Sequence, residues 1–166
     1  MTYDYDFVMV RKALAEACSF PDVCKKHPIS ALIESADKKK VLLGWNGAPT
    51  GIEHKECARK SYASGEGMNL CPTIHAERRA VSHASINGIG KGATIYLSEW
   101  FPCSDCAKSI IEAGIKRLVT PDEFYSDISK HILIPKLQNQ SYNFEMADSL
   151  LRKANVELIV DKRIRR

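Results

Sequence analysis

Two short motifs constrain the fold of this chain more than any other feature. They are His-Ala-Glu at residues 75–77 and Pro-Cys-Ser-Asp-Cys at residues 102–106. Imidazole and thiolate groups are preferred ligands of Zn²⁺, so His75, Cys103 and Cys106 form a candidate ligand set. Each motif is predicted to start a helix, where backbone N–H groups and the helix dipole favour thiolates. The fold must therefore bring two helix N-termini face to face.

Three protein ligands distinguish a catalytic zinc from a structural one, because the fourth tetrahedral position stays open for water. The pKa of such a water falls from ~15.7 to about 7. Glu77 follows the histidine by two residues, near enough to exchange protons with this water. A Cys-x-x-Cys pair alone also fits a redox pair or half of a structural site. The combined motifs favour a catalytic zinc, with Glu77 as the catalytic acid and base.

The composition is that of an ordinary single-domain protein. The 166 residues suit one domain spanning residues 1–166, with 45% hydrophobic and 27% charged residues. No stretch approaches the ~20 apolar residues of a membrane span, and the acidic N-terminus differs from a signal peptide. We therefore expect a cytoplasmic protein without a membrane partner. In that compartment, six cysteines indicate metal binding or free thiols rather than disulfides.

Hydrophobic periodicity predicts the order of helices and strands. Apolar residues spaced by three and four predict a helix over residues 3–17, and two apolar runs predict a hairpin over residues 29–45. The later pattern predicts helices over 73–86, 104–113 and 143–154, a further helix beginning near Asp122, and strands over 93–98, 116–120 and 156–160. This order predicts a three-layer α/β/α fold with a five-stranded mixed sheet. Helical crossovers should make the later strands parallel.

Three runs of sequence resemble the deoxycytidylate (dCMP) deaminases of the zinc-dependent cytidine deaminase superfamily. They are GWNGAPTG at residues 44–51, CPTIHAE at residues 71–77 and FPCSDCAKSIIEAGIK at residues 101–116. The last two runs contain the zinc signature of nucleobase deaminases. Transfer-RNA adenosine deaminases and yeast-type cytosine deaminases share that signature but continue differently after the cysteine pair. The resemblance extends over about residues 19–119 and implies a cytidine deaminase-like fold.

The resemblance also implies the reaction, which is hydrolysis of dCMP to dUMP and ammonia, with Glu77 protonating ring nitrogen 3 and then the leaving amino group. It implies a homo-oligomer, often a hexamer, and in many members regulation by triphosphates such as dCTP and dTTP. The candidate substrate-binding residues are Asn46, Ala76, Trp100 and Pro102. For Asn46 the alternative is a turn residue, and for Trp100 it is a buried core aromatic.

Departures from the family pattern leave the exact substrate open. Arg79 stands where the family usually has asparagine, residues 98–100 are one residue longer than usual, and Asn155 stands where glycine is common. Arg79 lies about 200° around the helix from Glu77. We interpret Arg79 as a charge facing solvent or another subunit, with a phosphate contact as the alternative.

Two other functions compete with dCMP deamination. One is a deaminase of the same fold acting on a nucleoside, a modified base or a base in a single strand. Of these substrates, a base in nucleic acid is the least favoured. Grooves that bind single-stranded nucleic acid combine basic side chains with aromatic side chains on which the bases stack. Here aromatic residues make up 8% of the chain, and none interleaves with the basic tail at residues 162–166. The other is a non-catalytic nucleotide-binding relative, against which the intact Glu77 argues.

A second group of candidate zinc ligands flanks a long polar loop over residues 47–72. The group is Cys24, His54, Cys57 and Cys71. Some dCMP deaminases carry an additional structural zinc near this position, so the resemblance supports such a site. A closed four-ligand site would contribute folding energy and order the loop. Separate buried thiols are the alternative, and the chain is expected to hold one or two zinc ions accordingly.

Overall fold

A computed structural model describes residues 2–17, 20–62, 66–121 and 142–161 of the chain. The described elements are, in order, α1 (Thr2–Ala17), β1 (Ser30–Glu34), β2 (Val41–Trp45), a 3₁₀ turn (Met68–Leu70), α2 (Ala76–Ile86), β3 (Thr94–Leu97), α3 (Ser104–Glu112), β4 (Arg117–Pro121), α4 (Phe144–Lys153) and β5 (Glu157–Asp161). The helix predicted near Asp122 and the basic tail at 162–166 lie outside the described residues. No helix within the described ranges is long and apolar enough to span a membrane.

The five strands form one mixed sheet in the order β2-β1-β3-β4-β5. β1 pairs antiparallel with β2 and with β3, so that Leu32 lies opposite Leu43 on one side and Tyr96 on the other. β3, β4 and β5 are parallel, as expected for strands joined by helical crossovers. The predicted architecture, a hairpin followed by parallel strands, is confirmed.

Helices cover both faces of the sheet. On one face α1 packs Val10 and Ala13 against Leu32, Tyr96 and Val119. On the other face α2, α3 and α4 cover a larger apolar cluster, whose strand residues are Ala31, Ile33, Ile95, Leu97 and Leu118. Burial of each large aliphatic side chain stabilises the fold by roughly 1.5–3 kcal/mol. The predicted three-layer α/β/α fold is therefore confirmed, and the candidate ligands lie in the three-helix layer.

The start of α2 differs from the sequence prediction. The periodicity predicts a helix from residue 73, whereas α2 begins at Ala76 with His75 as an extended N-cap residue. The reason is tertiary: Ile74 pairs with Gly47 in an isolated β-bridge. β2 also packs directly on α2, since a Cβ atom on Gly44 would lie 2.3 Å from the Ala76 carbonyl oxygen. These contacts bring the loop that follows β2 beside His75.

Candidate active site

The first turns of α2 and α3 hold the three candidate ligands. His75 caps the N-terminus of α2, and Cys103 caps the N-terminus of α3. The Cys106 backbone N–H donates to the Cys103 sulfur over 3.4 Å. The positive ends of both helix dipoles therefore lie at the ligand cluster, where they favour thiolate over thiol. The two helix starts meet as the sequence predicts.

The ligand atoms lie at distances that suit a single zinc ion. The Nδ1 atom of His75 is 3.6 Å from the Cys103 sulfur and 3.3 Å from the Cys106 sulfur. A tetrahedral ion with bonds of about 2.3 Å to sulfur and about 2.0 Å to nitrogen separates such ligands by about 3.5 Å. Cys103 is 6% exposed and Cys106 is fully buried. The donor set, its spacing and its burial therefore fit a zinc ion with three protein ligands.

The ligand cluster also carries charge suited to a cation. Hydrogen bonding from the Cys106 thiol, aided by His75 and the Cys106 N–H, lowers the pKa of Cys103, and the same hydrogen bond raises the pKa of Cys106. The hydrogen bond to Cys103 in turn raises the pKa of the His75 imidazole. Negative charge therefore gathers on the Cys103 sulfur, and a divalent cation would displace the protons that Cys106 and His75 hold.

Glu77 lies beside the ligands in the first turn of α2. Its side chain is nearly buried, at 9% exposure, and borders the same cavity as His75 and Cys103. Burial raises the pKa of the Glu77 carboxyl; the Cys103 thiolate adds to this, and the charge of His75 opposes it. A buried carboxyl group with a raised pKa is suited to general acid–base catalysis.

A cavity of about 90 Å³ opens in front of the ligands. Part of its lining is aromatic, and Tyr142 is central to that part. The Tyr142 ring packs edge-on against Trp100 at 5.9 Å and stacks on Phe144 at 5.5 Å, both between ring centroids. Its centroid lies 6.2 Å from that of the His75 imidazole. The cavity therefore joins the ligand cluster to aromatic surfaces that suit a planar ring.

Sequence reasoning missed Tyr142, which lies far along the chain from the other cavity residues. Its backbone carbonyl accepts a hydrogen bond from the Ser104 N–H over 2.7 Å. This bond joins the segment before α4 to the first turn of α3. The sequence carries no local signal for so distant a contact. His27 and Arg59, which also line the cavity, were missed for the same reason.

The predicted substrate-binding residues have different positions. Asn46, Ala76 and Trp100 line the cavity, whereas Pro102 is not among its lining residues. The Asn46 amide accepts from the Ile29 N–H over 2.8 Å and donates to the His27 carbonyl over 2.6 Å. Asn46 therefore lines the cavity and also stabilises the backbone that forms the cavity wall. A contact of any of these residues with substrate stays a prediction.

The second candidate ligand group is less compact than the first. Cys24, Cys57 and Cys71 line the cavity, and His54 does not. Among the described residues, the group whose ligand atoms all lie within 4.8 Å of one another is His75, Cys103 and Cys106. No three of the second group approach one another that closely. A second zinc ion therefore stays a prediction.

The interpretation of Arg79 as a charge facing solvent or another subunit is wrong. Its side chain is buried, with 4% exposure, and it donates to the Ala48 carbonyl. The angular argument assumed that α2 buries one face only. In the fold, β2 and the loop after it cover a second side of α2, so a residue about 200° from Glu77 is still inside.

Comparison with known proteins identifies the family. The family model for the cytidine and deoxycytidylate deaminase zinc-binding region matches residues 4–121. The chain therefore belongs to this family, and the resemblance found in the sequence is confirmed. The matched region contains the three ligands and Glu77. Zinc is thus the expected cofactor both of the family and of the donor set.

Several relatives are named deoxycytidylate deaminase. The human protein of that name is 32% identical over 100 residues, which cover 60% of this chain and 55% of the human protein. ComE operon protein 2 of Bacillus subtilis is 34% identical over 102 residues, covering 61% of this chain and 51% of that protein. The enzyme of phage T4 is 51% identical over 47 residues, which cover 28% of this chain and 24% of the phage protein. The chain matches about half the length of the mammalian relatives.

Solved structures share the fold. The dCMP deaminase of cyanophage S-TIM5, solved in complex with dCMP and dUMP, superposes with a TM-score of 0.68 at 20% identity and covers 97% of this chain and 99% of that one. The Rib2 deaminase of Aspergillus oryzae gives a TM-score of 0.54 at 14% identity, covering 94% of this chain and 84% of that one. At these identities the likeness establishes the cytidine deaminase-like fold.

Proposed function

We propose that this protein is a zinc-dependent hydrolase that deaminates a cytosine nucleotide, with dCMP converted to dUMP and ammonia as the first candidate. One observation carries the proposal: a histidine and two cysteines meet at facing helix N-termini, and Glu77 borders the same cavity as His75 and Cys103. Relatives named deoxycytidylate deaminase support a nucleotide over a free base.

The chemistry divides between the metal and Glu77. His75, Cys103 and Cys106 would hold zinc, which when bound lowers the pKa of a water from ~15.7 to about 7. Glu77 takes a proton from the attacking water and donates one to ring nitrogen 3 as oxygen adds at carbon 4. Glu77 then takes the remaining proton of the hydroxyl added at carbon 4 and passes it to the amino group. The bond between carbon 4 and the amino nitrogen breaks as the carbon–oxygen double bond forms, and ammonia leaves. A nearly buried carboxyl limits exchange of these protons with bulk water.

The cavity walls would bind the nucleotide. Trp100 and Tyr142 offer ring surfaces for the pyrimidine. Asn46 has one lone pair and one amide hydrogen beyond those that its two hydrogen bonds use, so it can still contact a sugar hydroxyl. Ala76 would contribute backbone beside the ligand His75. Pro102 precedes the ligand Cys103 but lies outside the cavity lining, so its contact with substrate is proposed on the family resemblance alone. We also propose a homo-oligomer regulated by dCTP and dTTP, on the family resemblance alone, and a cytoplasmic location, which keeps the expectation drawn from the sequence.

The first experiment measures ammonia release from dCMP. Glu77→Ala should keep its zinc and lose turnover by ~10²–10⁴-fold, the usual contribution of general acid–base catalysis. Glu112→Ala, a change of the same kind at an exposed position on α3, serves as the matched control and should leave the rate unchanged. Turnover that survives Glu77→Ala would exclude this mechanism.

A substrate panel separates nucleotide deamination from its alternatives. The panel compares dCMP with cytidine, dCTP and single-stranded DNA. We expect the highest kcat/KM for dCMP. Equal rates on cytidine would contradict a nucleotide-specific cavity, and deamination of single-stranded DNA would favour the second hypothesis. Inactivity on every cytosine compound would favour a non-catalytic relative.

Native mass spectrometry would count the zinc ions and the subunits. One zinc ion per chain is expected from His75, Cys103 and Cys106. Two ions, with one lost in Cys57→Ser, would support the second ligand group. A single ion, with thermal stability unchanged in Cys57→Ser, would exclude it. The same spectrum reports whether the proposed oligomer forms.

A further inference from the structure

Arg79 joins α2 to two other segments of the chain. Its Nη2 atom donates to the Ala48 carbonyl, and its Nη1 atom lies 3.6 Å from the Asp22 carboxylate. The guanidinium also lies over the Trp45 ring, 4.4 Å from the ring centroid. Ala48 follows β2, and Asp22 precedes β1. One buried side chain therefore ties both segments to the helix that carries Glu77.

The contacts of Arg79 are themselves held in place. The Trp45 indole N–H donates to the Asp22 carboxylate over 2.9 Å. Phe20 stacks on Trp45 with 3.8 Å between ring centroids and 3° between ring planes. We refer to Phe20, Asp22, Trp45, Ala48 and Arg79 as the arginine clamp. Because the Asp22 carboxylate accepts a hydrogen bond from Trp45 and forms an ion pair with Arg79, a change at either end of the ion pair alters the whole clamp.

The arginine clamp is joined along the chain to one wall of the cavity, since Trp45 precedes Asn46 and Asp22 lies two residues before Cys24. This wall, the loop wall, consists of Cys24, Lys26, His27, Ile29 and Asn46. The Cys24 N–H donates to the Asn46 carbonyl over 2.8 Å, so Asn46 and the segment before β1 move together. The Ile74 N–H donates to the Gly47 carbonyl over 2.9 Å, which joins the same loop to the residue before His75. A shift of the clamp is therefore transmitted to the loop wall.

Stability alone is a weak reason for an arginine at this position. The Nε atom of Arg79 is buried and has no acceptor among the described residues. An incompletely bonded buried cation carries a desolvation cost. Apolar residues of similar volume often replace buried ion pairs without loss of stability. Unlike an apolar residue, arginine can fix the relative positions of three neighbours. Its planar guanidinium group can contact Ala48 and Asp22 through its edge while its face stacks on Trp45.

We propose that Arg79 is a positioning residue, which holds the loop wall against α2 at the spacing that a bound cytosine nucleotide requires. Arg79 acts through Asp22 and Ala48 and does not touch the substrate. The positions of the candidate zinc ligands are set by the N-termini of α2 and α3 and not by Arg79. The effect of Arg79 therefore falls on substrate binding rather than on the chemical step. The identity of the substrate in this proposal rests on the proposed function. The geometry of the positioning role rests on the contacts of the arginine clamp.

Steady-state kinetics with dCMP tests the role of Arg79. Arg79→Met should raise KM about tenfold, the equivalent of one lost polar contact, while kcat, zinc content and the melting temperature stay close to those of the parent protein. Arg79→Lys should recover part of the loss, because it keeps the charge near Asp22 without the fork. Arg152→Met removes an exposed ion pair with Asp148 on α4 and should change neither constant.

Several results would overturn the proposal. An unchanged KM in zinc-loaded Arg79→Met would show that Arg79 only contributes to packing. A fall in kcat at constant KM would show that Arg79 acts on the chemical step and not on substrate binding. If Arg79→Met does not fold, Asp22→Asn, at a partly exposed carboxylate, must show the same rise in KM. Absence of that rise would equally exclude the role.

Hydrogen–deuterium exchange separates this proposal from the proposed function, since it needs no turnover. Amide exchange at Cys24 and Asn46 should be faster in Arg79→Met and unchanged in Arg152→Met. Unaltered exchange would exclude the clamp even in an active enzyme. A parent protein that deaminates no cytosine compound would overturn the proposed function, while the exchange data would still decide whether Arg79 holds the loop wall.

Discussion

The two faces of the sheet each bury ionisable side chains, yet the two clusters differ in how their polar atoms are used. Under α1, the Glu34 carboxylate accepts hydrogen bonds from Tyr5 and Tyr96, and Asp6 forms a two-point ion pair with Arg117. We call this set the α1 cluster. Its donors and acceptors bond to one another, which is the arrangement that a structural network requires.

The ligand cluster on the opposite face is arranged differently. His75, Cys103 and Cys106 converge on one point. Two of them, His75 and Cys103, border a cavity together with Glu77. Both clusters contain buried ionisable side chains and both perturb pKa values, so neither property identifies the functional site. The comparison indicates that convergence of metal-binding atoms beside a cavity is the informative feature. Three substitutions test this distinction.

The largest effect is expected in the ligand cluster. Cys106→Ser replaces a thiolate with a hydroxyl, a much poorer zinc ligand. We expect loss of zinc and a fall in dCMP turnover of more than about 10³-fold, because water without the metal keeps its pKa of ~15.7. Metal analysis and ammonia release measure the two losses. A Cys106→Ser protein with full zinc content and turnover would contradict the assignment of the ligand cluster, rather than the α1 cluster, as the functional site.

A smaller effect, on stability rather than activity, is expected in the α1 cluster. Asp6→Ala leaves the Arg117 guanidinium partly buried without its two-point partner, at a cost of about 3 kcal/mol in the free energy of unfolding. Urea unfolding measures this cost, while zinc content and KM should be unchanged. Asp148→Ala, which removes an exposed pair with Arg152 on α4, should cost at most about 1 kcal/mol. Equal costs for the two variants would show that the α1 cluster is not a structural network.

The smallest effect concerns alkaline pH. The hydrogen bond to Glu34 raises the pKa of Tyr5 to about 12, so the folded chain keeps a proton that the unfolded chain releases near pH 10. The resulting stability is complete below about pH 10 and is lost as pH rises toward 12.

Tyr5→Phe tests this pH dependence. The variant should cost about 1 kcal/mol at neutral pH and give a flatter decline in the urea midpoint between pH 9 and pH 12. Tyr62→Phe, at an exposed tyrosine, should match the parent protein. Identical declines for the parent protein and Tyr5→Phe would show that this hydrogen bond does not couple folding to pH.

The sequence by itself determined the candidate zinc ligands and the order of the strands along the chain. Both depend on short-range chemistry: His75 and Glu77 share one helix start, and Cys103 and Cys106 share one helix turn. Periodicity likewise predicted the five strands and the layers, because alternation and helical spacing report which face is apolar. The start of α2 was misplaced by a few residues, since the bridge between Gly47 and Ile74 comes from distant parts of the chain.

Only the tertiary structure decided the positions of Arg79, Tyr142 and Asn46. The burial of Arg79 depends on the two layers that cover α2. A prediction from helical angles alone assumes that only one face of the helix is buried. Tyr142 reaches the cavity through a backbone hydrogen bond to Ser104, and Asn46 bonds two backbone groups in the segment before β1. Each contact joins residues far apart in the chain, and such contacts form only when packing has brought the segments together.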